Sequence, residues 1–247
     1  MAPNDHLIVF AKRLMHFQSH HHCPAHLSLM VMEPKIMSAA HHHLLRLSAK
    51  RFCRVFTYDP DLLAKLPNGL MLPFGTTWVE GGLEFPLEKT ADLSLIASAQ
   101  NSHPGHKLRH RIVTHLQGNY PEARIMGRGY SPFDNKVEGL APFRYSVVIE
   151  NTQEPNYFSE KLIDAILCET VPIYWGCPNI TDFFPCDGSS NAGLILCRSQ
   201  AEIEAALRHV SPEDYARRLP ALQDLKDSAE NYGNLFLRAA VALRDSL

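Results

Sequence analysis

The sequence predicts an α/β fold with mostly parallel strands and helices on both sheet faces. Short β-branched or aromatic runs recur along the chain, among them Leu27–Met32, Arg54–Tyr58, Tyr145–Glu150 and Val171–Trp175. Between them lie longer stretches with apolar residues at helical spacing, and such alternation implies parallel strands joined by crossover helices. Composition agrees. Of 247 residues, 45% are hydrophobic and 20% charged, a globular mixture rather than a disordered one. A chain of this length buries roughly 70–75% of its unfolded surface and needs no disulfide or metal to fold.

The elements follow in order. Leu27–Met32 is a strand that stops at Glu33, because Pro34 holds the residue before it extended. Ser38–Arg51 is compatible with a helix, and Arg54–Tyr58 is a strand ended by Asp59-Pro60. The Pro- and Gly-rich stretch from Pro67 to Glu88 reads as loop or linker. The domain boundary is therefore expected near Glu88, giving a small N-terminal α/β domain (1–88) and a larger C-terminal one (89–247). In the second part, Leu93–Ala97, Ala123–Met126, Tyr145–Glu150, Val171–Trp175 and Gly193–Cys197 read as strands. Lys107–Gln117, Glu160–Cys168, Ala201 to about His209, and Asn231–Leu247 read as helices.

Charge and targeting signals exclude several function classes. Lys plus Arg is 24 and Asp plus Glu is 26, a net charge of −2, which argues against a broadly basic nucleic-acid binder. No run approaches 18 apolar residues, so no transmembrane helix is expected. Met1–Phe10 lacks a basic segment followed by a long apolar one, so no secretory signal is expected and the predicted compartment is the cytoplasm. The six cysteines (Cys23, Cys53, Cys168, Cys177, Cys186, Cys197) form no CxxC pair, consistent with reduced thiols.

The stretch from Phe143 to Pro185 carries the chemistry. It reads as a strand, a polar loop, a helix and a second strand, and ligands of open α/β sheets sit where such strands end and helices begin. Ser159 is a plausible N-cap, with Glu160 and Lys161 in the first turn. That turn presents unpaired N–H groups and the positive end of the helix dipole, which suits a phosphate, and Lys161 adds a full charge. Glu160 would be repelled by a diphosphate and is better used to accept hydrogen bonds from ribose or sugar hydroxyls. The same two residues are also unremarkable in the first turn of an amphipathic helix.

The segment resembles the C-terminal donor-binding motif of glycosyltransferase family 10, the α-1,3-fucosyltransferases. The matching residues are Glu150-Asn151, Tyr157-Phe158-Ser159-Glu160-Lys161, and Val171 through Pro178. Upstream, Ser94–Ser98 followed by Asn101 and Arg109 resembles the family's strand, loop and arginine-bearing helix. The resemblance covers roughly Ser94 to His209. It implies a GT-B-like fold, two Rossmann-like domains facing a cleft, with the N-terminal one small.

By the same resemblance, the reaction is inverting transfer of fucose from GDP-fucose to a glycan or glycolipid hydroxyl. Arg109, Lys161, Asn151, Tyr157, Ser159 and Glu150 would bind the donor, with Lys107 beside Arg109 as a further charge. Glu160 would stand near the anomeric carbon. The family's general base is a carboxylate after an N-terminal strand, and Glu33 is the candidate here, although the residues around it depart from the family pattern. Glu33 also reads as a strand-end surface residue. No metal or other cofactor is implied, since the cations come from the protein. No nucleic-acid partner is expected, and peripheral membrane contact would fit a lipid-linked acceptor.

Fourteen histidines include the triplets His20–His22 and His41–His43. Consecutive histidines point in different directions, so a triplet seldom supplies three metal ligands by itself. Two other readings are a nucleotide-sugar-binding module without catalysis and a histidine-rich metal-binding protein. Metal analysis of tag-free protein separates the latter.

Overall fold

The computed structural model describes residues 2, 4–18, 24–79, 87–186 and 188–247. Its element order is β1 (His6–Phe10), β2 (His26–Val31), α1 (Lys35–Ser48), β3 (Val55–Thr57), α2 (Pro60–Leu63) and β4 (Gly69–Met71), then β5 (Ala91–Ile96), α3 (Pro104–Asn119), β6 (Arg124–Met126), β7 (Phe143–Ile149), α4 (Glu160–Leu167), β8 (Val171–Trp175), β9 (Ile195–Leu196), α5 (Gln200–Leu207), α6 (Pro212–Asp224), α7 (Lys226–Gly233) and α8 (Leu235–Arg244). Two compact units result. The first comprises Met1–Phe74, Pro155–Tyr157 and Asn234–Leu247; the second comprises Gly75–Glu154 and Phe158–Gly233.

This division corrects the expected boundary near Glu88. The chain changes unit at Phe74/Gly75, and it returns to the first unit for its last helix. Residues 80–86, part of the expected linker, lie outside the described residues.

The first unit holds a parallel sheet in the order β1-β2-β3-β4. Alternation along β2 sorts its side chains to two faces. Leu27, Leu29 and Val31 pack with Leu45 of α1, Phe52, Val55 and Leu62 of α2. On the other face, Met30 packs with Met32, Phe56 and Leu72 against Leu235, Ala239 and Leu243 of α8. The expected single helix over 231–247 is broken at Gly233-Asn234. The Asn234 side chain accepts the Leu237 N–H at 2.9 Å and so starts α8 afresh.

The second unit holds a parallel sheet in the order β6-β5-β7-β8-β9. β7 and β8 lie inside it and are apolar along almost their whole length, as a sheet covered on both faces requires. The expected α3 start at Lys107 moves to Pro104, whose missing N–H and fixed φ suit a first helical position. Ser94 and Ser146 are buried at register partners on β5 and β7, and their hydroxyls bond each other at 3.1 Å. Lys89 is half-buried. It donates to the carbonyls of Ala141 at 2.8 Å and Cys168 at 2.7 Å, which fastens the end of α4, and burial pushes its ammonium down to about 8.

No disulfide joins the described cysteines. No helix among the described residues is long and apolar enough to cross a membrane.

Candidate nucleotide-sugar site in the second unit

A cavity of about 630 Å³ opens at the carboxyl ends of β5 and β7. Small-molecule sites run roughly 300–1,000 Å³, so the size is apt. Two glycines make the approach possible. Gly127 follows β6 with φ +114°, and a Cβ there would stand 2.1 Å from the Ala97 carbonyl oxygen. Gly105, in the first turn of α3, would place a Cβ 1.8 Å from the Glu150 carbonyl oxygen. Its own N–H donates to the Asn151 carbonyl at 3.0 Å, which seats α3 directly against the end of β7.

That seating aims Arg109. It lies in the second turn of α3 rather than the first, and it is buried. Its Nε donates to the Ile149 carbonyl at 3.0 Å and its Nη2 to Asn151 Oδ1 at 2.8 Å. Lys107, by contrast, is exposed and outside the cavity lining, so the expected pairing of two α3 cations is not formed. His106 does line the cavity. Burial, Arg109 and His103 push its imidazole down to about 4, so it is neutral and able to accept a hydrogen bond.

Opposite Arg109 stands the start of α4. Lys161 Nζ lies 3.0 Å from Ser159 Oγ, 3.3 Å from Glu160 Oε1 and 3.4 Å from Glu150 Oε2. Burial opposes its charge, but Glu150 and Glu160 outweigh that and hold the ammonium above its usual range. Burial likewise opposes ionisation of Glu160. Lys161 and Lys136 reverse this and keep the carboxyl below its usual range.

Lys136 is a residue that sequence reasoning missed. Its Nζ sits 2.7 Å from Asp164 Oδ2, 3.7 Å from Glu160 Oε1, and 5.1 Å from the centroid of the Trp78 ring. Asp164 is fully buried, and its Oδ1 accepts the Thr77 hydroxyl at 2.6 Å and the Trp78 N–H at 3.1 Å. Burial holds the Asp164 carboxyl above its usual range despite Lys136. Arg128 also lines the cavity, from the turn after β6. The rule that ligands sit beyond strand ends would have found Arg128. Nothing local marks Lys136, whose partners come from distant segments.

The expected donor-binding residues therefore divide. Arg109, Asn151, Glu160 and Lys161 share the cavity. Ser159 caps α4 as expected, its hydroxyl accepting the Lys161 N–H at 3.4 Å, yet it stands behind the cavity wall. Glu150 is corrected from donor contact to support. It is fully buried, and both carboxylate oxygens are taken by Ser159 at 2.8 Å. Tyr157 also lies outside that cavity's lining. It is buried in the first unit, with its ring 5.2 Å from Tyr58 and stacked on Phe74 at 6.3 Å, while neighbouring Asn156 donates to the Tyr58 carbonyl at 3.0 Å. Glu33 lies just beyond β2 in the first unit, exposed, its carbonyl accepting the Tyr58 hydroxyl at 3.3 Å.

The histidine triplets fare differently. His20–His22 and Cys23 lie outside the described residues. On α1, His41 Nδ1 meets His16 Nε2 at 2.8 Å, while His42 meets Ser38 Oγ at 3.2 Å and Asp59 Oδ2 at 3.2 Å. Among the described residues no group of three or more His, Cys, Asp and Glu is arranged to hold a metal ion.

Arg109, Arg128, Lys136 and Lys161 face the cavity against Asp134 and Glu160. In a chain of net charge −2, this is a local excess of cations suited to an anion. A 52-residue stretch is 46% identical to α-(1,3)-fucosyltransferase FucT of Helicobacter pylori, covering 21% of this chain and 11% of that protein. The resemblance to the α-1,3-fucosyltransferases holds. A 55-residue stretch is 38% identical to a putative fucosyltransferase-like protein of Arabidopsis thaliana, covering 22% of this chain and 11% of that one. No protein-family model matches the chain.

Solved structures show the fold. An α1,3-fucosyltransferase with GDP-fucose superposes with a TM-score of 0.55 at 20% identity, over 86% of this chain and 68% of that one. An α1,3-fucosyltransferase with GDP gives 0.57 at 15% identity, over 97% of this chain and 78% of that one. Staphylococcus aureus TarM gives 0.59 at 11% identity, over 90% of this chain and 51% of that one. The fold class is therefore the GT-B type seen in these glycosyltransferases.

Proposed function

We propose that this chain is an inverting fucosyl-transfer glycosyltransferase that takes GDP-fucose in the cavity of its second unit. The observation that carries the reading is the meeting of Arg109 and Lys161 across one cavity, with Lys136 and Arg128 beside them. The names of the similar fucosyltransferases support the choice of donor. The acceptor class is the hydroxyl of a glycan or glycolipid.

In the step proposed, the acceptor oxygen forms a bond to the anomeric carbon from the face opposite the leaving group. The bond from that carbon to the β-phosphate oxygen breaks, and its electron pair leaves with GDP. The acceptor proton passes to a carboxylate base, for which Glu33 is the candidate. A well-placed base contributes typically 10²–10⁴-fold. Charge gathers on the departing diphosphate, and Arg109 and Lys161 stabilise it as fixed, preorganised cations. The ionised Glu160 carboxylate favours the positive character of the sugar ring. Asn151, already turned toward Arg109, and neutral His106 offer polar contacts for hydroxyls. The protein supplies these cations itself, so transfer is proposed to persist in the presence of a chelator.

The test is GDP binding by calorimetry, followed by GDP release from GDP-fucose in the presence of glycans. Lys161→Ala and Arg109→Ala are each expected to weaken GDP binding by about 1–3 kcal/mol, the scale of a charged hydrogen bond. Unchanged affinity in both variants, with folding intact, would overturn the assignment. Glu33→Ala is expected to abolish transfer and spare GDP binding; full activity would move the base elsewhere.

A further inference from the structure

The segment from His6 to Arg54 holds seven cations (Lys12, Arg13, Lys35, Arg46, Lys50, Arg51, Arg54) and one carboxylate, Glu33. That is a balance of +6 in a chain whose total is −2. Within the same segment, three large apolar side chains face solvent: Leu14 is 67% exposed, Phe17 68% and Leu47 92%.

Leu14, Phe17, Leu47, Arg13, Lys50 and Arg51 share one neighbourhood, whereas Lys35 is paired with Asp59 at 2.9 Å and Asp61 at 2.7 Å, and Arg54 turns to Ser246. Leu14 and Phe17 belong to a 3-10 turn in which the Leu14 carbonyl accepts the Phe17 and Gln18 N–H groups, each at 3.0 Å. Residues three apart in such a turn lie on the same side. His16 points the other way. It is buried against α1, with Nδ1 2.7 Å from Ser48 Oγ and its ring edge-on to Phe52 at 5.9 Å. Leu47 precedes Ser48, the last residue of α1, whose bond to His16 sets this end of the helix beside the turn, and Arg51 follows in the next 3-10 turn. The Arg51 guanidinium donates to the Gln18 carbonyl, next to Phe17. Lys50 and Arg13 are exposed beside them.

We infer that this face of the first unit docks on an anionic membrane surface. Apolar side chains ringed by cations fit the interface, the former entering the acyl boundary and the latter meeting lipid phosphates. Each Lys or Arg near such a surface raises partitioning by about fivefold. A second copy of the chain would set these cations against their own kind, which charge complementarity disfavours. The inference stands on the first unit alone and is independent of the proposed reaction.

The test is co-sedimentation of the full chain with vesicles of phosphatidylcholine alone and of an equal mixture with phosphatidylglycerol. The expected result is binding to the mixed vesicles, weakened by salt, and little binding to the neutral ones. L14S/F17S/L47S is expected to abolish binding, and R13E/K50E to weaken it by more than about tenfold. The substituted side chains are exposed, so thermal unfolding of both variants is expected to match the parent. Absence of binding to the mixed vesicles, equal binding to both vesicle types, or undiminished binding by well-folded variants would overturn the inference. So would parent self-association, seen by light scattering, that the triple substitution removes.

Discussion

Both oxygens of the Glu150 carboxylate close on Ser159, Oε1 accepting its backbone N–H and Oε2 its hydroxyl, each at 2.8 Å. The same Oε2 lies 3.4 Å from Lys161 Nζ. One buried side chain therefore fixes where α4 begins and where its lysine points. Glu150→Gln keeps the shape but replaces one acceptor oxygen by an amide that faces two donors. The expected loss is about 2–3 kcal/mol of stability, read by urea denaturation, with weaker GDP binding read by calorimetry. Stability equal to the parent would remove Glu150 from this role.

Lys136 and Asp164 form an ion pair at 2.7 Å in which the carboxylate is fully buried. Removing one partner of a buried pair costs about 3–5 kcal/mol, because the other charge is left uncompensated. Lys136→Met is expected to fall in that range by chemical denaturation. Adding Asp164→Asn should restore part of the loss, and strict additivity of the two changes would deny the pairing.

Gly105 has no room for a methyl group, since a Cβ would stand 1.8 Å from a backbone oxygen that cannot rotate away. Gly105→Ala is expected to push α3 off the end of β7, lowering stability by about 1–3 kcal/mol or more and displacing Arg109. A matched fall in melting temperature and GDP affinity is the expected outcome. Gly118→Ala, where nothing stands within 4 Å, serves as the neutral comparison.

His16 and His106 are both buried, and each is pushed from 6.5 down to about 4: burial acts first in both, aided by His41 and Arg51 for the former and by Arg109 and His103 for the latter. Between those pH values the unfolded chain binds the protons and the native chain does not, so stability rises with pH across the window and falls on acidification. The expected slope approaches about two protons. His16→Gln with His106→Gln should flatten it, as read by denaturation from pH 7 to pH 4; an unchanged slope would place the acid sensitivity in other groups.

The strands and helices around the cavity were legible because their signals are local. Val171–Trp175 is a continuous apolar run, and Ser159 stands one residue before the first turn of α4. β1 and β4 escaped notice as edge strands, one rich in polar neighbours and the other lying inside a Pro- and Gly-rich stretch. The signal for α6 was present and unread: Ser211 caps it, accepting the Asp214 N–H at 3.1 Å, with Pro212 in the first position and Glu213 and Asp214 in the first turn. Roles within the site were harder, because they depend on the third dimension. Tyr157 and Glu160 are three residues apart in one motif, yet one belongs to the first unit and the other faces the cavity of the second. No spacing in the chain separates those two fates.

Helix α8 has a temporal consequence. Met30, Met32, Phe56 and Leu72 wait for Leu235, Ala239 and Leu243 to cover them. On the ribosome these strands thus emerge with one flank bare and stay so until residues 235–243 have been made, a long-range closure that slows maturation and invites chaperone capture.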